Sequence, residues 1–191
     1  MAIDPASFGI GLRLFMWVAD KWPWLAKKLV PKPTIKVSYD HDDAGCRRTT
    51  PVANSNTYYH YFRLRVSAGE RANVTGLCAT VRRIYRWKDG DWRDTQFRDP
   101  QRLSWSSLGD ERFKPIDIPK GKDHYLDVFR QKKTRAEAKL LVQNQAQKEF
   151  PHGIPQGRYL LKLHFSGDLI DHDIDVEADV ASYSGTKLEV Q

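Results

Sequence analysis

Apolar residues recur at every second position through most of the chain beyond residue 33, the period of a strand with one face buried. Thr34-Ile35-Lys36-Val37-Ser38-Tyr39 sets the pattern. Tyr59-His60-Tyr61-Phe62-Arg63-Leu64-Arg65-Val66 carries it most clearly, with Phe62, Leu64 and Val66 predicted inward and Arg63 and Arg65 in water. Leu77, Ala79 and Val81 continue at period two before Ile84 and Trp87 change phase, which predicts a long strand with a bulge near Arg82-Arg83. Lys88-Asp89-Gly90-Asp91 is a hairpin turn, because Asp-Gly accepts positive φ. Leu103-Ser104-Trp105 reads as a short strand, and residues 113–119 as an extended edge in which proline blocks ladder pairing. A turn at Gly121 leads into His124-Tyr125-Leu126-Asp127-Val128-Phe129. After Pro155-Gln156-Gly157, Tyr159, Leu161, Leu163 and Phe165 are predicted inward, and residues 172–180 alternate acid with apolar.

Residues 134–148 carry two readings. Thr134 and Glu137 match a capping box within a segment of high helix propensity, while Lys139-Leu140-Leu141-Val142-Gln143 also fits a strand. Seven or more short strands separated by turns predict a mostly-β, two-sheet sandwich over 34–191, with a small barrel sharing the same alternation.

Residues 10–30 read differently. Arg13, Asp20 and Lys21 interrupt the apolar run IGLRLFMWVADKWPWLAKKLV, so it falls short of the ~20 residues of a spanning helix. Charge inside the run and the lack of a small-residue cleavage site also speak against a signal peptide. Leu14, Trp17, Val18 and Trp22 share a helical face until Pro23 ends or kinks it. Two fates compete for this amphipathic helix. Trp17, Trp22 and Trp24 with Lys27 and Lys28 suit an anionic membrane interface, and the same residues suit packing on the sandwich or on a second copy. Pro31-Lys32-Pro33 is a stiff hinge, so 1–33 forms a leader segment, of which residues 1–5 look as much like an added tail as native sequence.

YYHYFRLRVSAGERANVTGLCATVRRI, FKPIDIPKGKDHYLDVF and IPQGRYLLKLHFSGD together resemble an uncharacterised group of bacterial immunoglobulin-like domains. Such domains often follow membrane-anchoring segments. The resemblance spans about residues 34–180 and implies an immunoglobulin-like sandwich acting as a recognition or accessory module, with no catalytic site to carry over.

A formal charge of +7 and a pI near 9.4 attract polyanions whatever the fold. Two cysteines, Cys46 and Cys78, make no disulfide framework and fit a reducing compartment. The expected location is cytoplasmic, with peripheral contact at the inner face of a membrane. Tyr59, Tyr61, Arg63 and Arg65, joined by Arg83 and Tyr85, are predicted to project from one sheet face. Rings beside guanidiniums suit a protein interface, where Tyr and Arg are enriched, and as the alternative single-stranded nucleic acid.

Asp40-His41-Asp42-Asp43 with Cys46 holds metal-ligating residue types, but no second ligand pair stands at recognised spacing. Asp173, Asp175, Glu177 and Asp179 line one strand face, as an acidic guard on an edge strand does. His60, His124, His152 and His164 lack partners identifiable from sequence, and Cys78 reads as a buried small hydrophobe. No nucleophile elbow, zinc-protease, phosphate-loop or dinucleotide motif occurs. The expectation is a non-catalytic binding module with no metal and no cofactor, its partners a protein or a second copy.

Overall fold

The computed structural model describes residues 31–53, 55–97, 99–143, 153–182 and 185–191. Pro33–Gln191 form one compact unit. The helix expected at the N-terminus, with Trp17, Trp22, Trp24, Lys27 and Lys28, lies outside the described residues, as does His152.

Alternation matures into short antiparallel strands: β1 (Ile35–Ser38), β2 (Arg47–Pro51), β3 (Tyr58–Ala68), β4 (Val74–Lys88), β5 (Asp91–Asp94), β6 (Gln101–Arg102) and β7 (Ser104–Trp105). They continue with β8 (Ile116–Ile118), β9 (Asp123–Lys132), β10 (Ala138–Leu140), β11 (Gly157–Gly167), β12 (Ile170–Val180) and β13 (Lys187–Val190). Two sheets result, consistent with a sandwich. In the first, β3 and β9 lie side by side; β1 and β2 divide the outer edge of β3, and β7 and β10 divide that of β9. The second runs β13-β12-β11-β4, with β5, β6 and β8 along the far edge of β4.

One apolar core joins the two sheets. It takes Phe62, Leu64 and Val66 from β3, Leu77, Ala79, Val81 and Ile84 from β4, and Tyr159, Leu161, Leu163 and Phe165 from β11. The expected bulge in β4 is present. Val81 opposes Leu163 and Arg83 opposes Lys162, so Arg82 is the extra residue; a strict period of two would turn Ile84 outward, and the insertion lets both Val81 and Ile84 reach the core. A matching irregularity in β9 pairs Phe129 with Phe62 and Asp127 with Arg63, which makes Val128 the additional residue and buries it beside Phe129. The Asp89-Gly90 turn between β4 and β5 has φ of 54° and 83°, the positive values its sequence favours.

One open reading closes and two expectations change. Residues 138–140 are strand, because pairing of Ala138 with Gln131 and burial of Ala138 and Leu140 outweigh local helix propensity. β12 is an edge only in part, since β13 pairs along Val176 to Asp179. Residues 116–118 form β8 on β4, and Ile118 is buried among the core residues. Among the described residues, no helix is long and apolar enough to cross a membrane.

Candidate functional site

Directly opposed residues of an antiparallel sheet point to the same side, so strand register alone assembles the outer face of the first sheet. Arg48 opposes Tyr61, Tyr61 opposes Arg130, and Arg130 opposes Lys139, which lays one row across β2, β3, β9 and β10. A second row sets Thr50 beside Tyr59 and Tyr59 beside Lys132. The rings of Tyr59 and Tyr61 meet edge to face at 6.4 Å. Arg130 lies 4.9 Å above the Tyr59 ring, and Arg63 lies 5.3 Å from that of Tyr61.

At the β9–β10 end of this face, Tyr59, Arg130, Lys132, Arg135, Glu137 and Lys139 enclose a cavity of about 200 Å³. Among the described residues, no carboxylate lies within ion-pair distance of Arg48, Arg130, Lys132, Arg135 or Lys139. Partial burial, with the charges of Arg130 and Arg135 added, holds the Lys139 ammonium below its ordinary pKa.

Of the six residues predicted to share a face, four do. Tyr59, Tyr61, Arg63 and Arg65 lie on the first sheet, whereas Arg83 and Tyr85 lie on β4 in the second, because the chain changes sheet between β3 and β4. Arg63 also departs from its expected exposure. Its side chain does point outward but is only 7% exposed, and its Nε donates to Asp127 Oδ1 at 2.6 Å. Period two gives direction, and neighbouring loops decide depth. Ser104 Oγ adds a 3.4 Å bond to the same carboxylate. Burial raises the Asp127 pKa by more than Arg63 and the serine hydroxyls lower it. Arg65, half exposed, reaches Asp43 at 3.5 Å.

The Asp40 to Cys46 loop is folded upon itself. Asp43 accepts from the Gly45 amide at 2.7 Å, from Tyr125 Oη at 3.3 Å and from Cys46 Sγ at 3.6 Å. The amide bond leads in holding its carboxyl below the usual range. Arg47 Nη1 donates to His41 Nε2 at 2.7 Å. A side chain at Gly45 would displace Tyr125, since a Cβ would stand 2.1 Å from its ring. Among the described residues, no three His, Cys, Asp or Glu side chains are grouped to hold a metal ion. Both thiols are free: Cys46 is fully buried, and Cys78, expected to be buried, is half-buried on the side of β4 opposite to inward-facing Leu77 and Ala79.

The acidic stripe of β12 faces a basic one on β11. Glu177 pairs with Arg158 at 3.1 Å, Asp175 with Lys162, and Asp173 with His164 at 2.8 Å and Arg82 at 3.3 Å. These cross-strand pairs offset the carboxylates of β12 with cations of β11 and β4.

His124, which sequence reasoning left without a role, packs edge-on against Trp105 at 5.7 Å and has a buried Nε2. Burial lowers its pKa from the ordinary 6.5, and that of His60 likewise. A histidine that resists protonation in the fold protonates more readily in the unfolded chain, so its contribution to stability is complete above about pH 6.5 and declines as pH falls below it. The thermal midpoint is expected to drop between about pH 7.5 and 5, and His124→Phe to flatten that drop. An unchanged slope in the variant places the titration elsewhere.

No known protein-family model matches this chain, and no curated protein matches it significantly.

Proposed function

We propose that this protein is a non-catalytic binding module on an immunoglobulin-like sandwich, and that the outer face of β2, β3, β9 and β10 receives an acidic protein segment. Strand order supports the sandwich type. β1-β3-β9 in one sheet and β12-β11-β4 in the other correspond to the A-B-E and G-F-C groupings of immunoglobulin domains. One contrast carries the functional reading: Arg82, Arg158 and Lys162 on the β4-β11-β12 face are matched by carboxylates, while the row Arg48, Tyr61, Arg130 and Lys139 has no such partner among the described residues. An uncompensated positive surface steers and orients an anionic partner.

Protein is favoured over single-stranded nucleic acid by the rings themselves. Base stacking needs open aromatic faces, yet a guanidinium lies over each tyrosine and the two rings turn edge to face on one another. Attachment to a membrane or to a second copy through Trp17, Trp22, Trp24, Lys27 and Lys28, at a cytoplasmic surface, belongs to the same proposal on sequence grounds alone.

Fluorescence anisotropy against poly-glutamate and against a single-stranded oligonucleotide, both at low salt, tests the reading. Wild-type protein is expected to prefer poly-glutamate, and Arg130→Glu with Lys139→Glu to weaken that binding by about tenfold or more. Arg83→Glu, on the other sheet, serves as control. Tighter oligonucleotide binding, or equal loss in the control, removes the proposal.

A further inference from the structure

We propose that the cavity bounded by Tyr59, Arg130, Lys132, Arg135, Glu137 and Lys139 is a site for a phosphate monoester on a side chain of the acidic partner. The inference rests on the preceding reading and names the group that reading leaves unspecified. Four cations and one carboxylate border a space of about 200 Å³. That space is large enough for a phosphate group together with water.

Charge count favours phosphate over carboxylate. A carboxylate brings one negative charge in a plane, whereas a phosphate monoester brings about −1.5 to −2 at neutral pH and three acceptor oxygens directed apart. Such a group can meet cations from β9, β10 and the intervening turn together. Crowding already registers on Lys139, whose ammonium is disfavoured by burial and by Arg130 and Arg135. A dianion relieves that repulsion.

The site is also pre-ordered from beneath. Gln131, fully buried, donates from Nε2 to the carbonyl of Ala136 at 2.9 Å and to that of Ala181 at 2.8 Å. Its Oε1 accepts from buried Thr186 at 3.3 Å. The turn that presents Arg135 and Glu137 is closed by Arg135 N to Lys132 O at 2.9 Å, and Lys133 N bonds Tyr58 O at 3.0 Å. A fixed turn offers its guanidinium with less entropy to lose on binding than a free loop does.

The test uses full-length protein and a short poly-glutamate peptide with one central serine, in plain and phosphorylated forms. The phosphoserine form is expected to bind about tenfold more tightly, and inorganic phosphate, against chloride at matched ionic strength, to displace it. Arg135→Gln is expected to bring the ratio of the two affinities towards one, a readout in which any uniform weakening cancels. Equal binding of both peptides by the wild type overturns the phosphate site and leaves the acidic-partner reading standing. Absence of binding by either peptide overturns both. Vesicles containing a phosphoinositide monoester form the last arm, and tighter binding to them than to the phosphopeptide assigns the site to a membrane and overturns the proposal as made.

Discussion

Asp127→Ala is expected to destabilise the protein by about 3–5 kcal/mol, the cost of leaving a buried charge without its partner. Arg63 and Asp127 are each only 7% exposed, and their 2.6 Å contact ties β3 to β9 at the point where β9 carries its extra residue. Without the carboxylate, the guanidinium, only 7% exposed beside the Tyr61 ring, loses the charged acceptor that offsets its desolvation. The pair is not for that reason a source of net stability. Burial raises the Asp127 pKa despite the adjacent guanidinium, so ionising the carboxylate costs more in the fold than in water. Arg63→Met with Asp127→Leu is accordingly expected to restore most of the loss, and urea midpoints of the three proteins measure both effects. A double variant as unstable as the single one refutes the desolvation argument.

That pair marks the boundary of what the sequence makes legible. Alternation placed Phe62, Leu64 and Val66 inward, as it did Tyr159, Leu161, Leu163 and Phe165. A phase change between Val81 and Ile84 located the bulge at Arg82, and Asp89-Gly90 marked its turn. These signals are local, because a side chain's direction follows from its own backbone. Sheet membership does not, so Arg83 and Tyr85 were grouped with residues on the opposite sheet. Nor does depth: Arg63 alternates like a surface residue, and the acid that covers it lies 64 positions away.

The cavity at Arg130 was missed for a related reason. Its residues draw on β3, β9, a turn and β10, and no short spacing unites them. A signal was nevertheless present. RQKKTRAEAK, residues 130–139, carries five basic residues against one acid, with Arg130 and Lys132 in the phase opposite to buried Gln131. The helix propensity of the second half of that segment competes with it. Conversely, the acidic residues of β12 look unopposed in sequence, yet the register of β11 sets His164, Lys162 and Arg158 opposite Asp173, Asp175 and Asp179.

Trp105→Ala is expected to cost about 3–5 kcal/mol, the range for deleting a large buried aromatic ring. The indole is 1% exposed and stands where the chain changes sheet. β6 pairs with β4 in the second sheet, and only one residue later β7 pairs with β9 in the first, so the chain passes between the sheets at Leu103. Trp105 fills the space at this crossing, and its backbone amide bonds Arg112 O at 2.7 Å. Its removal also bares one side of His124. Water entering there lets the imidazole protonate nearer its ordinary value, so the alanine variant is expected to lose part of the stability change on acidification together with the stability itself. Trp105→Phe keeps an aromatic edge on the imidazole and removes less volume, and is expected to retain that acid sensitivity at a smaller cost. Chemical denaturation at two pH values separates the effects. If the alanine and phenylalanine variants respond identically to acid, His124 does not owe its lowered pKa to the indole.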